Sequence, residues 1–103
     1  MSLEVRADRE GSTLRVALSG ELDAYTTPTV SNVVGPSLDG SDLVAIVIDA
    51  RELSFMDSAG ISELLRIQRL LAERGASIRI EGVGPMVRRV LEITGLLGIL
   101  GVQ

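Results

Sequence analysis

The sequence predicts an α/β fold, a mixed sheet of about four to five strands with helices packed on it, and three observations carry that prediction. On either side of Gly11-Ser12, apolar and polar residues alternate with a period of two, which reads as an antiparallel hairpin. From Leu43 to Asp49 an apolar run carries β-branched Val44, Ile46, Val47 and Ile48, the pattern of a strand buried on both faces with helices on either side. Three further stretches, after Thr27, Ser58 and Gly84, carry apolar residues at helical spacing. Strands separated by helices pair in parallel through crossovers.

Each element follows in order. Leu3, Val5 and Ala7 make the first strand; Leu14, Val16 and Leu18 make the second, which Gly20 is expected to end. Thr27-Pro28 reads as a helix start, with Thr27 as N-cap and Pro28 at the first helical position. Val30, Val33, Val34 and Leu38 supply its apolar face. Gly35-Pro36 is expected to kink or shorten that helix, because proline cannot donate to the carbonyl four residues back. After the buried strand a second helix runs from about Ser58 to Arg74, with Gly75 as a left-handed cap. Ser77 to Glu81 alternates again as a strand. Gly84-Pro85 opens a third helix, Gly95 stops it, and Leu96 to Val102 is expected to form a last short strand.

Composition narrows the chemistry. The 103 residues suit one domain, residues 1–103, with a core of Val, Leu and Ile. Tyr25 and Phe55 are the two aromatics, so there is no platform for stacking bases. The chain lacks Cys and His, and every basic side chain is Arg. That removes thiolate chemistry, the usual zinc ligands, the usual general base and lysine catalysis together. No cofactor or metal is expected. A formal charge of −4 with scattered Arg residues gives no basic stripe for direct nucleic-acid binding. No apolar run reaches the ~20 residues that span a bilayer, and Met1-Ser2-Leu3-Glu4 does not open a signal peptide. A cytoplasmic protein without membrane contact is expected.

The segment Leu53-Ser54-Phe55-Met56-Asp57-Ser58-Ala59-Gly60 joins the buried strand to the longest helix. Ser58 therefore falls at or beside the helix N-cap, where a hydroxyl can accept from a first-turn N–H. A serine on a strand-to-helix turn also suits a hydrolase nucleophile. Here Met56 stands where that motif needs glycine, and no His can activate the hydroxyl. The domain is expected to be no enzyme.

The Asp57-Ser58-Ala59-Gly60 turn, with the four residues before it, resembles the signature of the bacterial anti-sigma factor antagonists and of STAS domains generally. Gly20-Glu21-Leu22-Asp23 matches a second recurrent element, and Ile80 to Leu97, ending in Ile93-Thr94-Gly95-Leu96, follows the family pattern. The resemblance covers essentially the whole chain. It implies a STAS-type sandwich and a switch thrown by phosphorylation of Ser58. The unmodified form would bind an anti-sigma factor that is also a serine kinase, releasing the sigma factor. The phosphorylated form would not bind, and a serine phosphatase would reset it. The ATP belongs to the kinase.

Partner-binding residues implied on this pattern are Asp23, Asp57, Ser58, Ala59, Gly60, Ile61 and Ser62. Asp23 and Glu21 can instead form a solvated turn that caps the first helix. Gly60 either admits a partner backbone or relieves crowding in the first turn. Ala59 leaves Ser58 the sole phosphoacceptor of the loop. Two alternatives stay open: an accessory subunit of a lipid-transport ATPase complex, and a scaffold component of a stress-signalling assembly. The chain also stops at Gln103, where the family commonly continues into a final helix. Leu96, Leu97, Ile99 and Leu100 are then expected to lack a cover. Either the chain is truncated, or a second copy or another partner buries them, a homodimer through this region being one arrangement.

Overall fold

A computed structural model describes residues 2–39 and 42–103. The elements are β1 (Leu3–Glu10), β2 (Thr13–Leu22), α1 (Thr27–Leu38), β3 (Ala45–Met56), α2 (Ser58–Ala72), β4 (Ser77–Glu81) and α3 (Pro85–Ile93). The strands form one sheet in the order β1-β2-β3-β4. β1 is antiparallel to β2, while β2, β3 and β4 run parallel. The α/β mixed sheet read from the periodicities is what forms.

The helices line one face of the sheet. Val30, Val34 and Leu38 of α1, Leu64, Ile67 and Leu71 of α2, and Val87 and Leu91 of α3 join Val16, Leu18, Ile46 and Ile48 in a single core. Val47 corrects the expectation of helices on both sides. Its side chain points away from Ile46 and Ile48, as strand alternation requires, and lies between Arg15 of β2 and Arg79 of β4 in the register. Both arginines pair with Glu81, at 3.3 and 3.1 Å. Val47 is nevertheless buried, which fits cover by the aliphatic stems of those arginines. On the same strand Arg51 donates to Asp49. These bonds hold the Asp49 carboxyl below its ordinary value.

Five features differ from the sequence expectation. β2 does not end at Gly20 but continues to Leu22. Gly20 has φ of 116°, and a Cβ there would lie 2.4 Å from the Ser2 carbonyl oxygen, so glycine permits the strand to pass. β3 is also longer than the apolar run, reaching Met56. Ala17 and Ser19 face Asp49 and Glu52, and Gly20 and Glu21 face Leu53 and Phe55. β3 thus carries one extra residue in each interval, as β-bulges do near functional sites.

α1 runs through Gly35-Pro36 to Leu38. The missing N–H strands the carbonyl of Asn32, a residue on the solvent side, and Gly35 has no Cβ to crowd the proline ring. The helix also begins one residue earlier than expected: Thr26 precedes it, Thr27 is its first residue, and Pro28 lies in its first turn. Finally, Leu96 to Val102 forms turns rather than a strand, with a single parallel bridge from Val102 to Ile80. Leu100 is fully buried, and Leu96 and Leu97 pack against the core. Of the four residues expected to lack a cover, Ile99 alone is exposed. The leucines therefore supply no reason for a second copy.

Candidate functional site

The site forms where β2 and β3 end side by side. Leu22 pairs with Met56, and the Asp57 N–H donates to the Leu22 carbonyl at 3.2 Å. One residue, Asp57, separates β3 from α2. The chain can turn so sharply because Asp57 is itself the N-cap: it is extended, and its Oδ1 accepts from the Ala59 N–H at 2.9 Å and the Gly60 N–H at 3.1 Å. Two donors that a helix start leaves unpaired are thereby satisfied.

Asp57, not Ser58, is the cap. Ser58 is the first helical residue and is exposed. Its hydroxyl has no hydrogen-bond partner among the described residues. Ser62, one turn on, is exposed on the same side, with Ala59 and Ile61 half-buried beside it. Asp57→Ala should lower stability by about 1–2 kcal/mol, whereas Asp57→Asn, which keeps a cap acceptor, should cost less than half of that. Urea unfolding of the two variants checks this.

Gly60 resolves its alternatives toward packing. It is buried, and a Cβ would lie 2.8 Å from both the Leu22 carbonyl oxygen and Leu22 Cγ, and 2.9 Å from Met56 Cγ. It seats α2 against the strand ends.

Asp23 also faces inward, at 3% exposure. Its Oδ1 accepts from the N–H groups of Tyr25 (2.9 Å) and Thr26 (3.1 Å). In return the Asp23 N–H donates to Thr26 Oγ1 at 2.9 Å, and that hydroxyl donates to the Glu21 carbonyl at 2.8 Å. The turn from Asp23 to Thr26 is thus closed by reciprocal bonds that lead into α1. Oδ2 is buried without a hydrogen-bond partner among the described residues, a polar cost that the bonds at Oδ1 must offset. Glu21 is half-buried opposite Phe55.

The structure therefore brings Asp57, Ser58, Ala59, Ile61 and Ser62 onto one accessible surface and turns Asp23 and Gly60 into its supports. It adds three residues that the motif reading did not single out. Thr26 locks the Asp23 turn, Tyr25 projects from it at 87% exposure, and Phe55 lies half-buried three residues before Ser58. The two aromatics had a signal in the sequence, their scarcity: Phe55 lies within one matched motif and Tyr25 two residues past the other. Behind the surface, Glu63 is nearly buried and accepts from Ser31 of α1 at 2.9 Å and from Arg66 at 2.7 Å. This ties α1 to α2 and raises the Arg66 guanidinium further above its ordinary value.

Among the described residues no group of acidic side chains could hold a metal, and no helix is long and apolar enough to cross a membrane. The model of the family described as "Mlab, STAS domain" matches residues 5–101. An anti-sigma F factor antagonist of Paenibacillus polymyxa is 31% identical over 97% of this chain and 86% of its own length. A solved anti-sigma factor antagonist from Mycobacterium paratuberculosis is 26% identical, with a TM-score of 0.85 over 98% of this chain and 85% of that one. The Bacillus cell fate determinant SpoIIAA, solved in its phosphorylated form, shares the fold at 22% identity, with a TM-score of 0.76 over 99% of this chain and 91% of that one. With the sheet, the strand-end turn and the exposed serine in place, the chain belongs to the STAS domain family, among the anti-sigma factor antagonists.

Proposed function

We propose that this domain is an anti-sigma factor antagonist whose binding surface is switched by phosphorylation of Ser58. The unmodified domain binds an anti-sigma factor that is also a serine kinase, and the sigma factor is released. The kinase transfers the γ-phosphoryl group of its ATP to Ser58 Oγ. The phosphorylated domain no longer binds until a serine phosphatase hydrolyses the ester.

The observation that carries the reading is the exposed, unbonded Ser58 hydroxyl on the first turn of α2. A kinase must reach the acceptor oxygen from solvent, and none of the described residues bonds to it. The domain contains neither His nor Lys, and the transfer is assigned to the kinase. The domain's part is to hold the acceptor. Asp57 fixes the backbone at Ser58 through two bonds to the following N–H groups, so the hydroxyl is offered from a rigid turn.

The test is to incubate the domain with each anti-sigma factor kinase of the source organism and ATP, then locate phosphate by mass spectrometry. Modification at Ser58 by one of them, abolished in Ser58→Ala, is the expected result. No modification by any of them would turn the reading to the accessory subunit of a transport complex.

A further inference from the structure

We infer that Tyr25 is the apolar anchor of the surface centred on Ser58, the side chain that the anti-sigma factor closes around. This rests on the functional reading above and adds to it a residue that neither the motif nor the phosphorylation chemistry requires.

Five observations converge on it. Tyr25 is 87% exposed, although a lone exposed aromatic is unremarkable by itself. Its position is what matters. The turn that carries it leaves β2 at Leu22, whose carbonyl accepts from the Asp57 N–H one residue before Ser58. The two turns therefore share a hydrogen bond.

The ring is also presented from a fixed backbone. The Tyr25 N–H is held by the buried Asp23 carboxylate, and Thr26 bonds back across the same turn. A large ring on a pre-set turn loses little conformational freedom when a partner covers it. Aromatic side chains of this kind dominate interface energetics when they fill a pocket.

The remaining two observations concern composition. The chain has one Tyr and one Phe, and neither is in the buried core. Both lie at this edge, Tyr25 beyond the end of β2 and Phe55 next to the end of β3. Furthermore, residues 16–50 and 52–65 contain no Lys or Arg, so the edge carries the half-buried Glu21 and Asp57 without a basic residue from either segment. A pocket on the partner with apolar walls and a basic side chain suits it, the cation resting on the tyrosine face.

The experiment measures the affinity of the partner found by the kinase assay for wild type, Tyr25→Ala, Tyr25→Phe and Val44→Ala. Val44 is a second exposed apolar residue, 54% exposed, bonded to the Ser12 carbonyl beside the hairpin turn and so at the opposite end of β3. Tyr25→Ala should weaken binding about thirtyfold. Tyr25→Phe should stay within about threefold of wild type and Val44→Ala should be unchanged. The melting temperature of Tyr25→Ala should remain within a few degrees of wild type, since the side chain is 87% exposed. Equal affinity of Tyr25→Ala and wild type would overturn this inference alone, as would equal weakening by Tyr25→Ala and Val44→Ala. Wild type that binds no anti-sigma factor would overturn the functional reading, and this inference with it.

Discussion

Gly60→Ala is expected to lower the melting temperature by about 10 °C, although alanine is the better helix former. In an open helix the substitution would gain roughly 1 kcal/mol. At Gly60 the added methyl meets the Leu22 carbonyl oxygen and Leu22 Cγ at 2.8 Å and Met56 Cγ at 2.9 Å. Met56 can swing aside, but the Leu22 carbonyl cannot, because it ends β2 and accepts from Asp57. Overpacking of this kind costs about 1–3 kcal/mol, occasionally more, and the rigid contact puts Gly60 at the upper end. A net loss near 2 kcal/mol in a domain of this size corresponds to about 10 °C. The relief available is for α2 to move off the strand ends, which would carry Ser58 with it. Partner affinity should therefore fall at temperatures where the variant is still folded. Thermal unfolding by circular dichroism checks the first effect, and an unchanged or raised melting temperature would show that the helix start is not packed as described.

The same clash explains why parts of this site were legible in the sequence and others were not. The hairpin, the sheet class and α2 follow from periodicities that burial enforces, so Leu14, Val16 and Leu18, or Leu64, Ile67 and Leu71, announce their elements directly. β3 beyond Asp49 left no such trace. Its two extra residues against β2 set Arg51 and Glu52 side by side in solvent and break the alternation that would have marked a strand. Gly35-Pro36 misled for a local reason: a proline near a helix end strands one carbonyl, and the surface tolerates that. At the site, Ser58 stood out because the motif names it. Asp23 resembled a solvated acid because its burial depends on Thr26, three residues later, bonding back to it. Gly60 could be seen as small, but which neighbour demanded smallness depends on the meeting of β2 with α2. Tyr25 has no periodic partner at all, and its meaning came only from the edge on which it sits.

Charge at Ser58 should separate binding from folding. Ser58→Ala is expected to bind the anti-sigma factor within about threefold of wild type, since the hydroxyl has no partner among the described residues to lose and the cap belongs to Asp57. Ser58→Asp should bind on the order of a hundredfold more weakly, and the phosphorylated domain more weakly still, because phosphate carries about −1.5 to −2 charges. The reason lies in what surrounds the residue. The Ala59 and Gly60 N–H groups, which would otherwise receive a phosphate at a helix start, are already held by Asp57. No Lys or Arg occurs in residues 52–65 or 16–50. In the free domain water solvates the added charge, and the helix dipole offsets part of the repulsion from Asp57, so the melting temperature should shift by only a few degrees. When the partner closes, that water must leave, and an uncompensated charge at an interface costs several kcal/mol, which is two to three orders of magnitude in affinity. Ser58→Asn decides between charge and bulk. It matches aspartate in size without the charge, and it should bind much closer to Ser58→Ala than to Ser58→Asp. Calorimetric titration of wild type, the three variants and the phosphorylated domain gives the order directly. If asparagine binds as weakly as aspartate, exclusion is steric, and the lack of Lys and Arg in the segments flanking Ser58 is not what sets the switch.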